Sequence, residues 1–326
     1  MPLHAHYCSP DEQSNIVSGR IKHSMRVAVR VAAAGAVLFA TDVLGAPPVQ
    51  DACNKVAAQP LKIEGATTRI YKTVAGADLR LHIFNPGNFR PSDKRAAVIF
   101  FFGGGWIEGE VEQFVPQSKY LASRGMVAVV ADYRVRCRHN STPLDSIADA
   151  RAAILWTRSH AATLGIDPKR IGAGGGSAGG QIALCTSVFD EQAGADGAAA
   201  SSAKPNALVL FNPVIDMTSK TRPEWALGLG LTSDQVENIS PLQHVHRGLP
   251  PTLILSGKAD KTTPYSVAEK YCFEAAGMGN ECHLVGFDGA GHGFFNVKWY
   301  RQTLLETDRF LTSIGYLPQP APSEIP

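Results

Sequence analysis

Arg170-Ile171-Gly172-Ala173-Gly174-Gly175-Gly176-Ser177-Ala178-Gly179-Gly180-Gln181-Ile182-Ala183-Leu184 passes from a strand-like run, through a glycine-rich turn, into a helix-like run. Ser177 stands in the turn with Gly175 two residues before it and Gly179 two residues after. In this G-x-S-x-G spacing a sharp strand–turn–helix bend projects a serine hydroxyl away from the backbone. Small neighbours are needed there because the backbone packs closely. A nucleotide-cradling loop is the rival reading. However, no Gly-Lys-Ser/Thr ending follows, and the acidic residue expected after a dinucleotide loop is not evident.

A second glycine turn lies upstream, Phe102-Gly103-Gly104-Gly105-Trp106, directly after the apolar run Ala96–Phe101. Around these turns the chain alternates between strand-like and helix-like segments, which predicts an α/β fold with a mostly parallel central sheet and helices on both faces. Leu79–Phe84 alternates as a half-buried strand does. Ala96–Phe102, Met126–Ala131, Ala207–Phe211 and Thr252–Leu255 are continuous apolar runs of the kind that central strands show. Cys282–Phe287 is read as the last strand. Pro143–His160 is read as a helix burying Leu144, Ile147, Ala148, Ala152, Leu155 and Trp156. Pro264 opens another helix, which Gly277 and Gly279 end. Val297–Ile314 closes the fold as a C-terminal helix. Glu191–Pro205 reads as a surface loop, and residues 213–250 as a small lid segment.

A serine hydroxyl needs a base to take its proton and a carboxylate to orient that base. Among ten histidines, His292 lies in Gly289-Ala290-Gly291-His292-Gly293, where small neighbours leave the ring free to reach a serine. Asp260, in Ser256-Gly257-Lys258-Ala259-Asp260 after a predicted strand, is the favoured carboxylate; Asp288 and Asp216 are its rivals. The negative oxygen of a tetrahedral intermediate needs backbone N–H donors. Ala178 is one natural donor, and Gly104 and Gly105 are the others. Trp106 is expected to contact substrate, and Glu108, Arg138 and Trp225 are further candidates for the pocket by position.

With these residues assembled, the chain resembles the α/β-hydrolase superfamily. Within it the likeness is to HGGG-type esterases and lipases, including hormone-sensitive-lipase-like enzymes and carbohydrate acetyl or feruloyl esterases. The resemblance runs from about residue 65 to 315. It rests on Phe102–Trp106, Asp132-Tyr133-Arg134, Asp149-Ala150, Gly175–Gly180, Gly257–Asp260 and Gly291–Gly293. It implies a triad of Ser177, Asp260 and His292, oxyanion donors at Gly104, Gly105 and Ala178, and no metal or organic cofactor. It also implies that Asp132-Tyr133-Arg134 braces the oxyanion loop, although the residues alone are equally consistent with a surface turn. This chain has Phe102 where the family usually has a structural His at the head of the glycine loop, so the loop is expected to be supported differently. The small lid suits short acyl groups on a polar alcohol such as an acetylated sugar. A prolyl-oligopeptidase-type peptidase and a catalytically inactive binding protein are the competing functions.

Composition agrees with an ordinary globular protein: 44% hydrophobic and 18% charged residues, with a net charge of +2. No run of one charge sign points to a nucleic-acid partner. Lys22, Arg26 and Arg30 precede the apolar stretch Val31–Ala40, and Gly45-Ala46 follow, which is the pattern of a secretory signal peptide. The stretch falls short of the ~20 apolar residues of a transmembrane helix. The expected organisation is a leader over residues 1–46, with Met25 a possible true start, then a linker over 47–64. The hydrolase domain spans 65–315 and a tail spans 316–326. The leader implies a secreted or periplasmic protein. Two pairings, Cys53 with Cys137 and Cys272 with Cys282, suit an exported chain. Five inert thiols are the alternative.

Overall fold

The computed structural model describes Cys53 and residues 56–189, 202–218 and 228–319. The expected leader and Trp225 lie outside the described residues, as do most of the Glu191–Pro205 loop and of the tail. The apolar runs become the centre of an eight-stranded sheet. The strands are β1 (Thr67–Val74), β2 (Ala77–Phe84), β3 (Arg95–Phe101), β4 (Val127–Ala131), β5 (Ile166–Gly176), β6 (Ala207–Phe211), β7 (Thr252–Gly257) and β8 (Cys282–Phe287). Their spatial order is β1-β2-β4-β3-β5-β6-β7-β8. β1 pairs antiparallel with β2, and β2 with β4. Every pairing from β4 to β8 is parallel. Strands β4, β6 and β7 are buried at every residue, because helices cover both faces. β1, absent from the sequence reading, is a polar edge strand with only Tyr71 buried. It joins β2 through Ala75 and Gly76, both at positive φ (49° and 78°), as a two-residue hairpin turn requires.

The helices are α1 (Val115–Ser123), α2 (Arg136–His139), α3 (Pro143–Ser159), α4 (Ala178–Val188), α5 (Ser233–Asn238), α6 (Tyr265–Gly277) and α7 (Tyr300–Ser313). Pro143 opens α3, and Asp145 accepts from the Thr142 amide at 2.9 Å, closing its first turn. The buried face of α3 differs from the expected one. Ile147 is inside, but it is joined by Ser146, Asp149, Ala150, Ala153, Ile154 and Thr157, while Ala148 is exposed. Two effects rotate the helix. Small residues permit close approach to α4, and buried Asp149 binds Arg134 at 2.8 Å and Lys72 at 2.6 Å. α7 begins three residues later than expected, because residues 294–296 form a separate 3-10 turn after the His292 loop.

The described part of segment 213–250 is tied to the body of the fold. Gln181 of α4 donates to Ile239 O at 2.8 Å, and Val214 N donates to Ser177 O at 3.2 Å. Within the segment Ile215, Met217, Val236, Ile239 and Leu242 are themselves buried. Residues assigned to linker and tail are also bound in. Cys53 is disulfide-bonded to Cys137 (Cα–Cα 4.8 Å), and Tyr316 and Leu317 are buried. Cys272 and Cys282 form a second disulfide (Cα–Cα 5.3 Å), which joins α6 to the start of β8. Both expected pairings are therefore present, and Cys185 remains a buried thiol.

Candidate active site

Ser177 sits where β5 ends and α4 begins, with φ 53° and ψ −117°. A non-glycine residue is strained in this region, so the surroundings must hold it there. Ser177 N donates to Phe211 O at 3.0 Å, while its carbonyl accepts from Gln181 N at 3.0 Å and Val214 N at 3.2 Å. Gly179 shows why the turn admits no larger residue. A Cβ there would lie 2.1 Å from Phe101 O, at the end of the adjacent strand β3.

The structure brings three of the predicted side chains into one chain of contacts. His292 Nε2 lies 2.9 Å from Ser177 Oγ, and His292 Nδ1 lies 2.8 Å from Asp260 Oδ2. With its ring proton on Nδ1, His292 donates to Asp260 and accepts from Ser177. The Asp260 side chain is fully buried and also accepts from Thr262 N, Thr263 N and Thr263 Oγ1 at 2.7–2.9 Å. Burial alone would raise its pKa. The hydrogen bonds from His292 and Thr263 outweigh burial and hold it below the usual carboxylate range. The rival acids are engaged elsewhere. Asp288 is 86% exposed and paired with Lys258, and Asp216 accepts from Thr218.

The glycine loop lies across the site from His292. Gly104 has φ 132°, and a Cβ on it would fall 2.1 Å from Glu108 O, so the loop closes on itself too tightly for any side chain. Its carbonyl accepts from Ile107 N and Glu108 N, each at 3.1 Å. The amides of Gly104 and Gly105 have no acceptor among the described residues. The Ala178 amide is left open at the first turn of α4, where the helix dipole adds a positive end. Three N–H groups are thus available around Ser177.

Phe102 keeps the loop in place by packing. Its ring stacks on Tyr133 (centroids 4.1 Å apart), with the Arg138 guanidinium 5.7 Å from its centre. Tyr133 OH donates to Phe102 O at 2.7 Å, and Tyr71 OH donates to Asp132 O at 2.7 Å. Asp132-Tyr133-Arg134 is therefore a braced segment and not a surface turn. Gln113, which the sequence did not flag, accepts from Gly103 N at 2.7 Å.

A cavity of about 520 Å³ opens onto Ser177 and His292. Gly104, Gly105, Trp106, Val214 and Phe295 are among its lining residues. Trp106 is only 1% exposed, and its indole N–H donates to Gln181 Oε1 at 3.2 Å. It fixes a wall of the cavity more than it offers a contact surface. Glu108 and Arg138 face a neighbouring cleft that shares Gly103 and Gln113 with this cavity. A larger concavity, about 640 Å³ beside Cys53–Cys137, contains no nucleophile–base pair. Asn212, also unflagged, places its amide 3.2 Å from His292 Nδ1 and has φ 36°. The only sequence signal for it was an Asn directly after an apolar strand, a residue type that tolerates left-handed backbone. Among the described residues no group of three His, Cys, Asp or Glu side chains could hold a metal ion. Nor is any described helix long and apolar enough to cross a membrane.

Comparison with known proteins places this geometry in context. The BD-FAE family model matches residues 81–272. Esterase LipC of Mycobacterium tuberculosis is 28% identical over 221 residues, covering 63% of this chain and 54% of LipC. An acetylxylan esterase of Xylanibacter ruminicola is 26% identical over 240 residues, covering 70% of this chain and 46% of that protein. The chain thus spans about half the length of these curated relatives. Thermogutta terrifontis esterase 2, phosphoramylated by tabun, superposes with a TM-score of 0.73 at 42% identity. That match covers 81% of this chain and all of the other. The same esterase has also been solved with propionate bound (TM-score 0.72, 43% identity, 79% of this chain and 97% of that one).

Proposed function

The chain belongs to the BD-FAE family, within the α/β-hydrolase superfamily of HGGG-type esterases, and on that premise we propose that it is a serine carboxylesterase acting on short acyl esters, including acetyl groups on carbohydrates. The observation that carries the reading is the relay from Ser177 through His292 to Asp260, at 2.9 and 2.8 Å, beside unpartnered glycine amides. Ser177 Oγ attacks the ester carbonyl while His292 Nε2 takes its proton. Asp260 stabilises the imidazolium that results. The amides of Gly104, Gly105 and Ala178 receive the developing oxyanion. His292 then protonates the departing alcohol, leaving an acyl group on Ser177. Water, deprotonated by His292, releases the acid and restores the serine.

The short-acyl preference is supported by the modest cavity at Ser177, walled by Trp106, Val214 and Phe295. A carbohydrate alcohol is supported by the acetylxylan esterase among the relatives. Export is supported by the two disulfides, since such bonds persist mainly in oxidising compartments.

The test is hydrolysis of p-nitrophenyl esters of rising acyl length, wild type beside Ser177→Ala, with fluorophosphonate labelling in parallel. Activity should be highest on acetate, and both activity and labelling should be lost in the variant. Faster turnover of long-chain esters would overturn the acyl assignment. A folded wild type that neither labels nor hydrolyses any ester would overturn the enzyme reading.

A further inference from the structure

The oxyanion loop is held by a segment far from it in sequence. Gln59 Nε2 donates to Gly109 O at 2.8 Å, and Gln59 Oε1 accepts from Val111 N at 3.1 Å. The side-chain amide thus grips the backbone on both sides of residue 110. Arg138 donates to the same Gly109 carbonyl at 2.9 Å. Gly109 in turn lies against the oxyanion glycines. A Cβ on it would fall 2.1 Å from Gly103 O and 2.5 Å from the Phe102 ring. A shift of Gly109 therefore presses directly on Gly103, which lies beside Ser177 (a Cβ on it would fall 3.4 Å from Ser177 Cβ) and leads into the oxyanion glycines.

The segment bearing Gln59 is anchored at one further point. Cys53, six residues upstream, is bonded to Cys137 in α2. That short helix also grips the loop, because Arg136 N donates to Trp106 O at 2.8 Å and Cys137 N to Ile107 O at 2.9 Å. Strap, loop and α2 form a closed bracket with the disulfide as its clasp. The bracket supplies a support for a glycine loop headed by Phe102.

We propose that Gln59 is a positioning residue for the oxyanion loop, and that the Cys53–Cys137 disulfide tethers it there, so that releasing either lowers turnover without weakening substrate binding. The proposal rests on the esterase reading of Ser177. An oxyanion donor stabilises charge that exists only in the transition state, so its displacement reduces kcat and leaves KM nearly unchanged. Complete loss of one such donor lowers kcat by about 10²–10³-fold. A loosened loop should lose part of that, about 10-fold or more.

The experiment compares wild type, Gln59→Ala, Cys53→Ser and Cys272→Ser, the last removing the other disulfide. On p-nitrophenyl acetate, Gln59→Ala and Cys53→Ser should lose about 10-fold or more in kcat with KM within about twofold, and Cys272→Ser should keep its kcat. The inhibition constant of a trifluoromethyl ketone, whose serine adduct carries an oxyanion, should rise in the same proportion as kcat/KM falls. A purely structural role would not produce that proportionality. Amide hydrogen exchange across residues 103–111 should quicken in the same two variants only. Unchanged kcat, or faster exchange with full activity, would overturn the proposal. If the wild type hydrolyses no ester, the esterase reading fails, and the exchange measurement still decides whether the strap holds the loop.

Discussion

Asp260→Asn isolates one charge in the relay while keeping its shape. The asparagine oxygen can still accept from Thr262 N and Thr263 N, as Asp260 Oδ1 does at 2.8 and 2.9 Å. What changes is the atom facing His292 Nδ1, now 2.8 Å from a carboxylate oxygen. An amide NH₂ there is a donor, so the imidazole must present a lone pair on Nδ1 and carry its proton on Nε2. That proton then points at Ser177, and the ring cannot take the serine's. The lost attraction between imidazolium and carboxylate adds to the fault. At a charge separation of roughly 4 Å and an effective dielectric of about 20 it amounts to about 4 kcal/mol, or about 10³ in rate. Because Asp260 is held below the usual carboxylate range, it remains ionised throughout a neutral assay. The expected outcome is a fall of about 10³-fold in kcat/KM on p-nitrophenyl acetate at pH 7.5, with native circular dichroism. Asp288→Asn is the internal comparison. That residue is 86% exposed and paired only with Lys258, so its activity should stay within about twofold of wild type. A loss below tenfold for Asp260→Asn, or an equal loss in the Asp288 variant, would refute the assignment of the acid.

Gly104→Ala places a methyl 2.1 Å from Glu108 O at φ 132°, and should cut kcat by about 10²-fold or more while the protein still folds, as activity and melting curves together would show. Asp149→Ala leaves Arg134 and Lys72 without their buried partner and should lower unfolding free energy by about 3–5 kcal/mol in urea titrations. Asp132→Asn tests a pH dependence: burial pushes the Asp132 carboxyl up to about 6, against the opposing pull of Arg138 and the Tyr133 amide. The folded protein then binds more protons than the unfolded chain between about pH 4 and 6, so Asp132 makes stability fall as pH rises through that window. The asparagine variant should lack the fall, gaining about 2–3 kcal/mol relative to wild type between pH 4 and 7.

The sheet was legible because each central strand is buried on both faces and must therefore be apolar throughout, as Val127–Ala131 and Ala207–Phe211 are. β1 was not, since an edge strand needs to bury only one residue, Tyr71, and otherwise carries polar side chains. The inward face of α3 was misread for a related reason. Periodicity weighs large apolar residues, whereas this helix is oriented by a buried carboxylate, Asp149, whose partners lie on β1 and beyond β4.

The same distinction governs the site. Ser177, His292 and the Gly104–Gly105 turn betray themselves locally, because each must be flanked by small residues to approach its neighbours. Asp260 was harder, since its rank over Asp288 and Asp216 depends on which carboxylate the fold buries beside His292. Gln59 and Gln113 carry no local mark at all, and Asn212 carries only that of an Asn directly after an apolar strand. A glutamine that grips a loop 50 residues away reads in sequence like any surface glutamine. Its importance arises only when Cys53 is pinned to Cys137, 84 residues on. The side chains proposed to change bonds are thus written in short motifs, while the supports that hold them within reach are written in pairs of residues that only the folded chain brings together. The loop headed by Phe102 is held by such pairs, Gln113 with Gly103 and Gln59 with Gly109.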